Sequence, residues 1–150
     1  MNTIKLIPIL SLLFLAVSCH SETKTTNETS TETNIFSGKN RVEILDFYGT
    51  HRCATCIAIE ENTLYTLDIA FKEQVANGTV VFKLINFDDD KNIDIVTEYG
   101  AYGTSLFFNI VKDGKEEHID LSEFAFKMGN EKVEYSMELE AKINEALAKL

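Results

Sequence analysis

The sequence predicts an α/β domain, a central mixed sheet flanked by helices in the order β-α-β-α-β-β-α. Three observations carry this. Runs of seven or eight β-favouring residues alternate with stretches striped at helical spacing. Asp113-Gly114 separates two of the later runs as a hairpin turn. One Pro and seven Gly among 150 residues leave too few turn-formers for an all-β sandwich.

The elements follow in order. Residues 42–48 (VEILDFY) form a strand without clean alternation, as suits a central strand buried on both faces. Gly49 and Thr50 break it. From Thr55 onward, Ile57, Leu64, Leu67, Phe71 and Val75 recur at three, four and seven residues, predicting one long helix with this apolar face. Asn77-Gly78 ends it. Residues 80–87 (VVFKLINF) form a second strand. Asp88-Asp89-Asp90 then supplies the N-cap and acidic first turn of a short helix through Tyr99. The spacing of these acids does not fit an EF-hand loop.

Gly100 and Gly103 mark a loop before a third strand at 105–112, and the hairpin returns over 115–121. Ser122 caps a single helical turn, which 128–130 interrupts. Leu139, Ile143, Ala146, Leu147 and Leu150 stripe a terminal helix that starts between 130 and 136. The early βαβ units predict parallel pairing with right-handed crossovers, and the hairpin adds an antiparallel edge. Phe107, Phe108, Phe124 and Phe126 read as core or edge packing. There is no internal repeat and no second folded domain.

The N-terminus has a separate character. Lys5 precedes an apolar stretch over 6–17 that is interrupted only by Pro8 and Ser11. Twelve helical residues reach about 18 Å, short of the ~30 Å hydrocarbon core, so residues 1–18 read as an export signal and not as a membrane span. Leu15-Ala16-Val17-Ser18-Cys19 resembles a bacterial lipobox, with Cys19 as the lipidated residue. The expected setting is the bacterial cell envelope, facing the periplasm and held to a membrane by acyl chains. Residues 21–34 (SETKTTNETSTETN) contain no apolar side chain and read as a disordered tether of about 20 Å reach. The folded domain is expected over 35–150.

The net charge of −10 makes nucleic-acid binding unfavourable, because phosphate backbones are held by positive charge. No Gly-rich phosphate loop, Ser nucleophile elbow or HExxH helix is present, and no cofactor is expected. The chemistry-bearing motif is Cys53-Ala54-Thr55-Cys56, placed between the first strand and the long helix. A first cysteine at a helix N-terminus lies near unpaired N–H groups and the positive dipole end, which favour thiolate over thiol. Thiolate is the attacking species in disulfide exchange, and two intervening residues let the second sulfur resolve the mixed disulfide. Cys53 is thus the candidate nucleophile and Cys56 the resolving thiol. His51 and Arg52 stand ready to add positive charge. Metal sites and structural disulfides also use CxxC. A four-residue loop, however, constrains the unfolded chain little, which disfavours a purely structural bond.

The order of these blocks resembles the thioredoxin-like superfamily over about residues 40–150. VEILDFYGTHRCATC is similar to that family's strand–loop–CxxC segment, VFKLINFDDD to its next strand, and YGAYGTSLFFNIVKDGK to the loop, strand and hairpin that follow. The resemblance implies a thioredoxin-like fold and a thiol–disulfide oxidoreductase. Its substrates would be exported proteins or small thiols. It implies that Asp46 accepts a proton from Cys56 through water, and that Lys83 stands where the family pairs a Lys with this Asp. A carboxylate inside an apolar strand has its pKa raised by desolvation, which suits a general base near neutral pH. The plainer alternatives are an Asp46 that escapes to solvent at a strand end and a Lys83 that points outward.

The chain departs from the family pattern at two places beside the motif. Arg52 stands where Trp is usual, and Thr104-Ser105 stands in the substrate loop that normally carries a cis-Pro. A trans bond is expected there, since a non-Pro cis bond costs about 3–4 kcal/mol. Loss of that Pro raises a second reading, a copper(I)-type site of Cys53, Cys56 and His51. The third is a non-catalytic binding module on the same fold.

Overall fold

Strand β1 (Arg41–Tyr48) lies inside the sheet, flanked by β2 and β3, and every residue from 42 to 47 is buried, the carboxylates of Glu43 and Asp46 included. The computed structural model describes residues 39–150. The expected export signal, the expected lipidation site Cys19, the expected tether and residues 35–38 lie outside the described residues. The elements that follow are α1 (Ala54–Ala70), α2 (Lys72–Ala76), β2 (Val80–Asn86), a 3-10 turn (Asp90–Asn92), α3 (Ile93–Tyr99), β3 (Ser105–Lys112), β4 (Lys115–Asp120), α4 (Ser122–Met128) and α5 (Lys132–Leu147). The four strands form one mixed sheet in the order β2-β1-β3-β4.

Alternation along β1 divides the core into two layers. Val42 and Ile44 join Ile59, Leu67, Phe71, Tyr135, Leu139 and Ile143 beneath α1, α4 and α5. Leu45 and Phe47 face the other way, against Ile85, Val96 and Ala101 beneath α3. Tyr99 closes that second layer, with its ring 5.5 Å from Phe47 and 5.3 Å from Phe107. Among the described residues, no helix is long and apolar enough to cross a membrane.

The predicted strands and the hairpin are present. Asp113 and Gly114 both take positive φ, 52° and 75°, which is the turn whose twist matches the strands it joins. The element order differs from β-α-β-α-β-β-α in two places. The long helix breaks at Phe71, a buried residue off the helical region (φ −128°, ψ 21°), so that α2 is a separate segment. The turn at Ser122 extends to seven residues as α4. Ser122 is not its cap. Its Oγ instead accepts from Leu106 N at 3.1 Å and ties α4 to β3. Asp89 caps the 3-10 turn through Lys91 N (3.1 Å), whereas α3 starts at Ile93 without a side-chain cap.

Two further expectations are corrected. Only β1 and β2 are parallel, because β3 runs antiparallel to β1, with Phe47 opposite Ser105. The helical run between β2 and β3 is short. The seven residues of α3 rise about 10 Å, too little to return the chain along a strand of about 26 Å. The chain therefore re-enters the sheet at the end it left.

The buried face of α1 coincides with the apolar stripe only in part: Leu67 and Phe71 are buried in the core as expected. Ile57, Leu64 and Val75 are 40–44% exposed, whereas Asn62, Thr63 and Thr66 are buried. Each of these three buried polar side chains has a partner, which offsets the desolvation penalty. Asn62 Nδ2 donates to Gly129 O (2.9 Å), Thr63 Oγ1 bonds Tyr135 OH (2.7 Å), and Thr66 Oγ1 donates to Asn62 O (2.8 Å). Gly129 permits this approach. A Cβ there would lie 2.9 Å from Ile59 Cγ1 and 3.1 Å from Thr55 Cγ2.

Candidate functional site

The site grows from the C-terminal end of β1. Gly49 passes so close to Phe87 that a Cβ would lie 2.7 Å from the ring, and Thr50 N donates to Asp88 Oδ2 at 2.7 Å. These contacts pin the loop that delivers residues 51–53 to the start of α1. Cys53 is the N-cap of that helix, with extended backbone angles, and its sulfur accepts from Cys56 N at 3.1 Å. It is joined to Cys56 in a disulfide, with Cα atoms 5.1 Å apart. The two sulfurs are unequal in access: Cys53 is exposed and Cys56 is 6% exposed. When the bond is reduced, the sulfur at the cap keeps the N–H groups and the dipole of a 17-residue helix.

Asp46 is the second component. Its side chain is fully buried on the α1 face of β1, and neither carboxylate oxygen has a hydrogen-bond partner. Burial raises its pKa from 3.8 to about 7, with Arg52 opposing and Glu60 reinforcing the shift. Glu43, three residues earlier on the opposite face, shows what a satisfied buried acid looks like. Burial would raise it, but Lys83 Nζ at 2.9 Å and Arg41 Nε at 2.7 Å hold it below the usual range. Lys83 is therefore not the partner of Asp46. It stands beside Leu45 in the register and points to the Glu43 face, so the expected Lys83–Asp46 pair is corrected to Lys83–Glu43.

Arg52 does not stand free beside the sulfur. Its guanidinium pairs with Glu60, donates to Cys56 O at 3.1 Å and lies 4.8 Å above the Tyr48 ring. Its charge is largely committed to Glu60 and reaches Asp46 electrostatically. His51 is exposed. Among the described residues, the one group of three metal-competent side chains with ligand atoms mutually within 4.8 Å includes neither His51 nor the cysteines.

The Thr104–Ser105 loop does face the motif. Thr104 Oγ1 donates to Cys56 Sγ at 3.5 Å, whereas Ser105 turns its hydroxyl to Gly103 O at 3.0 Å. Every peptide bond described is trans, including this one. A hydroxyl that bonds Cys56 sulfur stabilises its thiolate more than its disulfide form, because charge-assisted bonds are stronger. Thr104→Val should therefore make the reduction potential more negative by about 20 mV, the equivalent of about 1 kcal/mol, when read against a glutathione couple.

The structure adds to the residues read from the sequence Glu60, whose charge acts on Asp46, and Tyr135, which is hydrogen-bonded to Thr63 and feels the charge of Asp46. Cys56, Glu60 and Thr63 recur at four and three residues, so polar residues on the cysteine's own helix face were the available signal. No protein-family model matches the chain, and no match was found among curated proteins or solved structures. The fold and site define an α/β protein with a four-stranded mixed sheet and a CxxC disulfide at the start of a helix.

Proposed function

We propose that this chain is a thiol–disulfide oxidoreductase with a thioredoxin-like domain, acting in the bacterial envelope on exported proteins or small thiols. One observation carries the reading. The disulfide has an exposed sulfur at a helix cap and a buried one behind it, and an unpaired carboxylate lies in the strand beneath. A structural disulfide needs neither the access nor the carboxylate.

The reaction uses the reduced dithiol. Cys53 thiolate attacks one sulfur of a substrate disulfide. That S–S bond breaks, one substrate sulfur leaves as thiolate, and a Cys53–substrate disulfide forms. Cys56 then loses its proton to Asp46 and attacks Cys53 sulfur, which releases the second substrate thiolate and leaves the Cys53–Cys56 disulfide. Two electrons pass from protein to substrate, and a thiol reductant restores the dithiol. With a dithiol substrate the same steps run in reverse. The asymmetry of burial supports this division of labour, since only Cys53 is open to a protein-sized partner. The signal-like N-terminus and Cys19 support lipid anchoring, which would keep the domain at a membrane surface.

The deciding measurement is the pH dependence of Cys53 alkylation in the reduced protein, together with the reduction potential. A thiolate forming below pH 8 and a measurable equilibrium with glutathione are expected. A Cys53 that titrates like a free cysteine, near 8.5, and exchanges no faster than a model thiol would overturn the proposal. A copper(I) reading gains no support from His51, which lies outside any three-ligand group among the described residues.

A further inference from the structure

We propose that Glu98, Glu116 and His118 bind a divalent transition-metal ion, Zn(II) being the best match, on the sheet face opposite Asp46. Glu98 comes from α3, and Glu116 and His118 from alternate positions of β4, so the tertiary fold alone brings them together. Their ligand atoms all lie within 4.8 Å of one another. His118 Nε2 is 3.8 Å from Glu98 Oε1 and 3.6 Å from Glu116 Oε2. Ligands on a tetrahedral zinc with bonds of about 2.05 Å are about 3.3 Å apart, so the two His118–carboxylate separations need to shorten by about 0.3–0.5 Å, and side-chain rotation of the exposed glutamates supplies the rest. Two carboxylates and one imidazole suit a borderline cation and leave a coordination position for water.

The surroundings are built rather than accidental. The Tyr99 ring stacks on His118 with centroids 4.1 Å apart and an interplanar angle of 18°, which restricts the imidazole. Asn109, 3% exposed, donates its Nδ2 to Glu116 Oε2 at 2.7 Å and to Glu43 Oε2 at 3.2 Å. Such outer contacts orient ligating groups. The Asn109 Oδ1 is itself buried with no hydrogen-bond partner. Asn109 is the direct cross-strand neighbour of His118, so this orphan oxygen belongs to the same face as the three ligands. The Asn109 amide nitrogen touches the ligand Glu116, so this buried, half-satisfied side chain reaches the cluster itself.

The test is calorimetric titration of ZnCl2 into the tag-free oxidised full chain carrying Cys19→Ser. With the Cys53–Cys56 bond intact, that chain has no free thiol. One equivalent should bind with a rise in melting temperature. His118→Ala, Glu98→Gln and Glu116→Gln should each weaken binding at least about 10-fold, and His51→Ala should leave it unchanged. Cobalt(II) bound to the unsubstituted His118 site should give visible d–d bands and a shifted imidazole NMR signal, which guards against a variant that misfolds. Undetectable binding, weak multi-site binding, or affinity indifferent to His118→Ala would overturn the site.

Discussion

Replacing Cys56 with serine will convert the protein from a catalyst into a trap. Cys53 keeps its place at the cap of α1 and its access to solvent, so the first attack proceeds. The second sulfur, held beside the first at a Cα separation of 5.1 Å, is what resolves the mixed disulfide. An intramolecular thiol at that range acts at an effective concentration far above that of any cellular thiol. Its loss should slow turnover by at least about 10³-fold. Mixed disulfides should accumulate on non-reducing gels of Cys56→Ser and vanish in the Cys53→Ser, Cys56→Ser double variant. If no adduct forms with any exported disulfide protein or with oxidised glutathione, Cys53 is not a nucleophile.

The second large effect belongs to Asp46. Its pKa is about 7 in the folded protein against 3.8 for an unperturbed carboxyl, so between these values the native state holds a proton that the unfolded state has released. Stability therefore falls as pH rises from about 4 to 7 and levels off above. The full span is roughly 4 kcal/mol. Asp46→Asn removes this term. The oxidised variant should match the parent near pH 4 and exceed it by up to that amount at pH 8, in urea unfolding. Glu43 runs the other way. Its lowered pKa stabilises the fold above about pH 4.5 and is lost as pH falls through the folded value.

The kinetic consequence is opposite in sign. If Asp46 takes the proton of Cys56, exchange in the parent rises with ionisation near pH 7. In Asp46→Asn that rise should disappear and the rate at pH 7 should fall by about 10²-fold. A variant that is both more stable and slower marks a carboxylate kept for chemistry. A variant that is more stable with an unchanged pH–rate profile would remove Asp46 from the mechanism.

Much of this site was legible because its signals are local. A CxxC after a strand and before a helix places one sulfur at a cap whatever else the chain does, and Asp113-Gly114 selects its turn from two residues' backbone preferences. The apolar run around Asp46 announced a buried carboxylate. Its lack of a partner was not readable, because that depends on which face Lys83 occupies, and strand alternation sends Lys83 to Glu43. The α1 face was legible at Leu67 and Phe71 and misread at Ile57, Leu64 and Val75 for a similar reason. Asn62 and Thr63 look solvent-facing until Gly129 and Tyr135, far along the chain, supply their hydrogen bonds.

The sequence by itself determined the strand segments, the hairpin, the cap position of Cys53 and the burial of β1, since each follows from steric and hydration preferences within a few residues. Tertiary structure decided the antiparallel entry of β3, the pairing of Glu43 with Lys83, the isolation of Asp46, the approach of Thr104 to Cys56 sulfur, and the meeting of Glu98 with His118. These are contacts between residues distant in the chain. Their formation is governed by how the helices and sheet bury one another, and no local preference encodes that.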